Sequence, residues 1–491
     1  MACIYLLFPF YSKSSVASIF ERKVSVPLVL VLTFLLLASL FRRTMHIDDA
    51  WLAEYAYWLN KSGHIKSELF RGFENYEYQI FVCHKLFLIQ GAALIKYFGF
   101  NLYILKSISL LYSLIAIAFV LAYFNKVVDL KNVWLHFLVF LAIFLANPCF
   151  FEYAFVFRPE ANVMTFGLIS FYFLNQGLND SKLGCILISA FFAGIAVLTH
   201  LNSVIFISAG LLILLFEKRY SYFCVFAFVA CLLSSFYFYD ILLSNKFEIF
   251  FRQLKNDPAL ESEDFIWYTY ILNIIKEHER FFHSPKEILF SVLLLMVVGY
   301  NFKYLVTMHK RLSLFTLFLV FSLAVVAHGK TSKYMFIYLP FLCILIVIGL
   351  ANMQKIGFNR RWANYLLGFY FVGSSFQNSI FIDWKSPSIS EQSSQVMKII
   401  PRGSKVLVPF KFIFNEISNY QMQGHHVYRF FEQTGQYYEH KFNPFLISEY
   451  FRNEYIVIDD EYINHYKLKS NNNYGPYRLI SQGKFMVFKK K

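Results

Sequence analysis

Charge is what this 491-residue sequence has least of: 16% of its residues are Asp, Glu, Lys or Arg, while 57% are hydrophobic and 20% aromatic. That balance leaves too little polar material to cover an ordinary water-soluble surface, so a soluble globular class is excluded. A disulfide framework is also missing. Of the seven cysteines, Cys149, Cys185, Cys224, Cys231 and Cys343 lie in or beside apolar runs, Cys3 stands near the start, and Cys83 has no evident mate in the sequence. There is no Gly-rich phosphate loop followed by a lysine, hence no nucleotide signature, and no internal repeat or low-complexity linker. The formal charge of +15 is spread over short loops instead of forming a stripe. This argues against nucleic acid and leaves lipid headgroups or a phosphate-bearing substrate as partners.

What the sequence does have is a series of apolar runs, most of them about 17 to 25 residues and so long enough to cross about 30 Å of hydrocarbon as helix. The spans expected are 24–42, 103–124, 133–150, 161–177, 183–199, 203–216, 220–241, 287–306, 312–328, 335–351 and 362–382, eleven in all. The first, from Val24 to Phe41, is long for a signal-peptide core and lacks a small-residue cleavage site after it, so it reads as a retained anchor. Basic residues in the short loops fall on one side: Arg22, Lys23, Lys126, Lys131, Lys182, Lys218, Arg219, Lys310, Arg311, Lys355, Arg360 and Arg361. That side is expected to be cytoplasmic, as is the N-terminus; Arg42 and Arg43 break the pattern but precede a long outer loop, where the rule weakens. The segment 80–100 contains His84, Lys85, Gln90 and Lys96 and reads as a surface or re-entrant helix on the outer side.

This divides the chain into a membrane domain, 1–384, with outer juxtamembrane helices in 43–102 and 242–286, and an extracytoplasmic α/β domain, 385–491. In the second outer region, 265–282 is an aromatic-rich helix suited to the interface. In the tail, KVLVPF and EYIVID read as buried strands, PFLISEYFRN as a helix, and YRLISQGKFMVFKK as a hairpin turning at Gln482 and Gly483.

With spans so placed, Asp48, Asp49, Glu54, Lys85, Lys106, Arg158, Glu160, His200, Lys330, Lys333 and Tyr334 gather at the outer surface from separate parts of the chain. Ionisable groups at membrane depth are costly and mark cavities or one another. Carboxylates can take a proton from a hydroxyl, and lysine and arginine can hold a phosphate. Each also has a structural reading: Asp48 or Asp49 as helix cap, Pro159 and Glu160 as a helix start, Lys330 and Lys333 as snorkelling cations, His200 as a satisfied interfacial histidine. Lys106, one turn inside a span, needs a partner in either case.

The run D-D-x-x-x-A-E at 48–54 resembles the first outer loop of GT-C fold glycosyltransferases that use polyprenyl-phosphate sugars, the lipid A aminoarabinose transferase and protein mannosyltransferase-like group. The next parts of that pattern follow in order: HKLFLIQGAALIKYFG, Lys106 early in the next span, Arg158-Pro159-Glu160 opening a later one, and GKTSKYMFIYLP at 329–340. Two departures stand out. Lys85 is followed by leucine where relatives often carry proline, and Asp49 stands where glutamate is common.

The resemblance implies a multi-pass α-helical membrane protein with the GT-C fold, a small C-terminal α/β domain, and transfer of a sugar from a polyprenyl-phosphate donor to a lipid, glycan or protein acceptor at the outer face of the plasma (inner) membrane. With the residues themselves it points to catalytic roles for Asp48, Asp49 and Glu160, Asp48 as general base or acceptor-orienting acid with Asp49 or Glu160 sharing that work, and to donor-phosphate roles for Lys85, Lys106, Arg158 and Lys333. Glu54, His84, His200, Lys330 and Tyr334 would support them. Two adjacent carboxylates also repel, which favours proton uptake by one of them. No cofactor is expected, and one short acidic pair gives a divalent metal little support. The rival class is a transporter or lipid-handling protein, which would more often show paired halves and helices broken near the midplane; neither is read in the sequence. An inactive assembly partner is the third reading.

Overall fold

The structure is a computed structural model and describes residues 22–40, 47–126, 132–256, 267–327, 330–356, 360–380, 382, 389–413, 416–425, 444–459, 462, 473–483 and 485–491. Cys3, Arg42, Arg43, Lys131 and the expected domain boundary at 384/385 lie outside these residues.

Over the described residues, every expected span overlaps a helix. The first half of the chain gives α1 (Arg22–Ser39), α2 (Ile47–Ser62), α3 (Lys85–Phe98), α4 (Leu102–Lys126), α5 (Val133–Ala146), α6 (Pro148–Tyr153), α7 (Glu160–Asp180), α8 (Leu183–Thr199), α9 (Val204–Phe216) and α10 (Tyr220–Ser235). The second gives α11 (Tyr239–Ser244), α12 (Phe247–Lys255), α13 (Trp267–Ile275), α14 (Glu279–Phe282), α15 (Pro285–Tyr300), α16 (Phe302–Met308), α17 (Lys310–Val326), α18 (Met335–Lys355) and α19 (Arg360–Ile380).

Two expected spans are broken. The run 133–150 stops at Ala146, and the Asn147 side chain accepts from the amides of Cys149 (2.9 Å) and Phe150 (3.3 Å) to start α6, whose Pro148 has no N–H with which to continue the earlier helix. The run 287–306 divides at Asn301, and α16 then meets α17 at 109°. At the other end of α15, a capping box of Ser284 and Glu287 fixes a 101° bend from the preceding helical segment.

Among the described residues three helices are by themselves long and apolar enough to cross a membrane, Leu102–Lys126, Tyr220–Ser244 and Met335–Lys355, and the two bent pairs pass together. The 21-residue α7 is not among them. It carries Asn162, Thr165, Ser170 and Asn175 and is buried along nearly all its length, facing other helices instead of lipid. Helix α18 occupies the centre of the bundle, its apolar side chains continuous with those of α5, α7, α9, α15 and α17.

The C-terminal part holds α20 (Ile389–Met397), α21 (Pro444–Tyr450) and a six-stranded sheet of order β2-β1-β3-β6-β5-β4. Strands β1 (Lys405–Val408), β2 (Gln421–Gly424) and β3 (Tyr455–Asp459) run parallel, and β6 (Phe485–Lys490) is antiparallel to both β3 and β5 (Tyr477–Ser481). Strand β4 (Asn473–Tyr474) closes the edge. The strands expected from KVLVPF and EYIVID, the helix and the terminal hairpin are all present. Strand β2, a polar QMQG run, has no apolar alternation to announce it.

The sheet shares its core with the segment between α2 and α3. Ile65, Leu69, Phe70, Phe73 and Tyr76 pack in one cluster with Val406, Leu407, Phe410 and Met422, and the Gly424 amide donates to the Leu69 carbonyl at 3.0 Å. From the other side, the segment after α10 clamps the same loop. Gln253 accepts from the Phe81 amide (2.8 Å) and donates to the carbonyls of Glu74 (3.1 Å) and Gln79 (2.9 Å), while Arg252 pairs with Glu74 at 2.6 Å. The Tyr237 hydroxyl accepts from the Cys83 amide (3.1 Å) and donates to the Cys83 carbonyl (3.0 Å).

Candidate functional site

The first turn of α2 brings Asp48 and Asp49 against the entry to α7, where Arg158 precedes Pro159 at the N-cap and Glu160 is the first helical residue. The two aspartates point to different partners. Asp48 accepts from the Trp51 indole at 2.9 Å and pairs with Arg158 Nη1. Asp49, fully buried, accepts from the Phe157 amide at 2.6 Å and pairs with Lys106 Nζ at 3.0 Å. Arg158 in turn holds Glu160, with Nη2 to Oε1 at 2.6 Å and Nε to Oε2 at 3.0 Å. The Ser109 hydroxyl of α4 donates to the Val156 carbonyl, so the loop before Arg158 is tied at two points. Close approach of α3 to this loop requires Gly91: a Cβ there would lie 2.7 Å from the Phe157 ring and 3.0 Å from Ala56 Cβ.

Exposure separates the members. Asp48 keeps 18% of its side-chain surface open, against 5% for Arg158 and 1% for Glu160. The result is a line of alternating charge, carboxylate, guanidinium, carboxylate, with one end open to solvent.

Beyond Glu160 stand two imidazoles. His84 and His200 stack with centroids 4.5 Å apart, and His200 meets Tyr334 edge-on at 6.0 Å. Burial pushes the His84 pKa down to about 4, with Glu160 opposing and Lys333 adding to the shift. His200 lies well below its usual range through burial and the neighbouring His84. Both rings are therefore neutral near pH 7. His200 Nδ1 accepts from the Asn202 amide at 3.0 Å, which leaves the ring proton on Nε2. The Lys333 ammonium lies 5.2 Å from the centre of the Tyr334 ring.

Lys85, next to His84, donates to the Tyr237 carbonyl at 2.6 Å, pairs with Asp240, and lies 4.5 Å from the centre of the Tyr237 ring. Lys330 is bonded to Glu277 (2.8 Å), which also binds Arg280 (2.7 Å); Arg280 continues to the Thr331 carbonyl (3.0 Å) and lies 5.5 Å from the Tyr334 ring centre. Glu54 faces the C-terminal sheet. It accepts from the Trp58 indole (3.0 Å), from Ser67, and from the amides of Glu68 (2.7 Å) and Leu69 (3.1 Å). Burial raises its pKa to about 7 against those four donors. Beside it a cleft of about 180 Å³ opens between Trp58, Arg71, Tyr420 and Met422.

Asp48, Arg158 and Glu160 thus form one ion-paired line and Asp49 and Lys106 a second pair, the two joined through the loop at Phe157, with His84, His200, Lys333 and Tyr334 near Glu160. Lys330 and Glu54 belong to separate, satisfied clusters. Four participants were not singled out from the sequence: Tyr237, Asp240, Glu277 and Arg280. Asp240 carried a signal, an acid inside the expected span 220–241. Glu277 and Arg280 sat in the segment read only as an aromatic interfacial helix. Among the described residues no group of three or more His, Cys, Asp or Glu is placed to hold a metal ion.

No protein-family model matches the sequence, and no curated protein is significantly similar to it. Solved structures are similar in fold. ArnT from Cupriavidus metallidurans, in the apo state and bound to undecaprenyl phosphate, aligns with a TM-score of 0.62 at 12% identity, over 94% of this chain and 97% of that one. The Archaeoglobus fulgidus oligosaccharyltransferase in complex with zinc and sulfate aligns with a TM-score of 0.58 at 10% identity, over 95% of this chain and 73% of that one. The chain has the GT-C fold: a multi-pass helical membrane domain followed by a small C-terminal α/β domain.

Proposed function

We propose that this protein is an integral-membrane glycosyltransferase that moves a sugar from a polyprenyl-phosphate donor to an acceptor at the extracytoplasmic face. The observation that carries the reading is the Asp48–Arg158–Glu160 line, with Asp48 as its solvent-open end. The fold supports it, since one structural neighbour is described as bound to undecaprenyl phosphate.

Asp48 is the base that takes the acceptor's proton as its oxygen or nitrogen forms a bond to the anomeric carbon. The bond from that carbon to the phosphate oxygen breaks, and its electron pair leaves on the phosphate. Arg158 and Lys333 stabilise that growing charge together with Lys85. Glu160 holds the guanidinium in place, and the His200 Nε2 proton is available as a neutral donor. Asp49 and Lys106, grouped by sequence with the base and the phosphate ligands, take a different part here. Each satisfies the other in the interior, and Asp49 fixes the Phe157 amide, so the pair positions the loop that carries Arg158. The domain division at 384/385 and an extracytoplasmic C-terminal sheet are part of the same proposal.

The test gives purified protein in lipid a panel of radiolabelled polyprenyl-phosphate sugars with candidate lipid, glycan and peptide acceptors. Asp48→Asn is expected to abolish transfer while donor binding survives. Full turnover by that variant would remove the assignment of the base.

A further inference from the structure

The ammonium assigned to the donor phosphate is already engaged. Lys85 is 12% exposed, and its donors go to the Tyr237 carbonyl and to Asp240, with the Tyr237 ring alongside. An ammonium has three N–H groups, and here a carboxylate takes the position where an anionic ligand would gain most. A phosphate arriving beside an intact Lys85–Asp240 pair meets a neutral site with a negative edge. One arriving after Asp240 has moved meets a full positive charge.

The two partners of Lys85 differ in how readily they can leave. The Tyr237 carbonyl belongs to a segment locked to the first outer loop through the Tyr237 hydroxyl and Cys83. The Asp240 side chain keeps 36% of its surface exposed and can turn its own charge to water, while the incoming phosphate takes over the counter-charge to Lys85. The clamp between 236–256 and 74–83 does not depend on it, because Gln253 and Arg252 hold the same loop.

We propose that Asp240 is a displaceable counter-ion that competes with the polyprenyl phosphate for Lys85 and so sets both donor affinity and release of the phosphate product. The inference rests on the proposed donor-binding role of Lys85. A phosphodiester donor carries one negative charge, whereas the monoester left after transfer carries up to two near pH 7. Return of Asp240 to Lys85 therefore opposes retention of the product, the more strongly charged of the two. Asp240 is a positioning residue in this scheme and touches no reacting atom.

The experiment measures binding of radiolabelled undecaprenyl phosphate to the full chain in detergent micelles, without any transfer step. Asp240→Asn keeps the shape and removes the charge. It is expected to bind about tenfold tighter, whereas Asp240→Glu should restore wild-type affinity. The gain should vanish in the Lys85→Ala background. In turnover, Asp240→Asn should lower KM and kcat together, with stronger inhibition by added undecaprenyl phosphate. Wild-type protein provides a check that needs no variant: carbodiimide labelling of Asp240, read by mass spectrometry, should rise when undecaprenyl phosphate saturates. Unchanged affinity in Asp240→Asn, or unchanged labelling at saturation, overturns the counter-ion inference while leaving the proposed function standing. If undecaprenyl phosphate does not bind wild type at all, the donor reading falls and this inference with it.

Discussion

Two of the acid–base clusters among the described residues are built from the same residue types and arranged for opposite ends. In one, Glu277 is held between Arg280 and Lys330, and the remaining donors go to the carbonyls of Thr331, Ala324 and Ala327. Glu277 and Arg280 are buried, and the Lys330 side chain keeps only 7% of its surface exposed. In the other, Arg158 is held between Glu160 and Asp48, and Asp48 reaches solvent. A closed cluster can only hold elements together, whereas one with an open terminus can also exchange a proton or a ligand. The lesson is that charge content at membrane depth does not identify a site. The exposure of one member does.

The largest test of that contrast removes the open end. Asp48→Asn should cost about 10²- to 10⁴-fold in transfer, as expected for loss of a general base, with the thermal midpoint nearly unchanged. Next comes the closed cluster. Glu277→Gln leaves two buried cations without a counter-charge and should cost about 3 kcal/mol in denaturant unfolding, while turnover per folded molecule stays at the wild-type level. A folded Glu277→Gln protein without activity would break the comparison, since the closed cluster would then belong to the chemistry.

Glu54 gives a third, intermediate case: a closed carboxylate poised to change its charge. Its folded pKa of about 7 lies above the ordinary 4.5. The folded state therefore keeps a proton that the unfolded chain releases, and the associated stability is present at low pH and lost as pH rises through about 7. Wild type should show a thermal midpoint that declines from about pH 5 to pH 8. Glu54→Gln should flatten that decline, because the amide oxygen can still accept from Trp58, Glu68 and Leu69 and its NH₂ can donate to Ser67. An identical slope in both proteins would place the titration elsewhere. The smallest expected effect is at Gly91, where Gly91→Ala presses on the Phe157 ring and should cost about 1 kcal/mol with a modest loss of transfer, read together by midpoint and rate.

The helices were legible because lipid and helical hydrogen bonding impose long apolar runs, and each such run overlaps helix in its described residues. The breaks at Asn147-Pro148 and Asn301 were not read, since a side-chain cap inside an apolar stretch is a small perturbation to its hydropathy. Strand β2 was missed because QMQG is buried by its neighbours and not by its own composition. At the site, the sequence singled out these charges but could not pair them. That Asp49 answers Lys106 while Asp48 answers Arg158 depends on how α2 rotates against α4 and the loop before α7, and neighbouring residues on a helix face different ways. Asp240 and Lys85 lie 155 positions apart in sequence, a separation across which a pairing leaves no local trace.

The core shared by residues 65–76 and the C-terminal sheet has a consequence for how the protein is made. The aromatic side chains of residues 65–76 emerge early, yet Val406, Leu407, Phe410 and Met422, which cover them, are synthesised more than three hundred residues later. At usual translation speeds that interval is on the order of 15 to 60 seconds. During it the nascent polypeptide carries an uncovered greasy patch that chaperones can recognise, and any chain cut short before β1 keeps that patch for good. Completion of the last segment thus acts as a maturity check on the first.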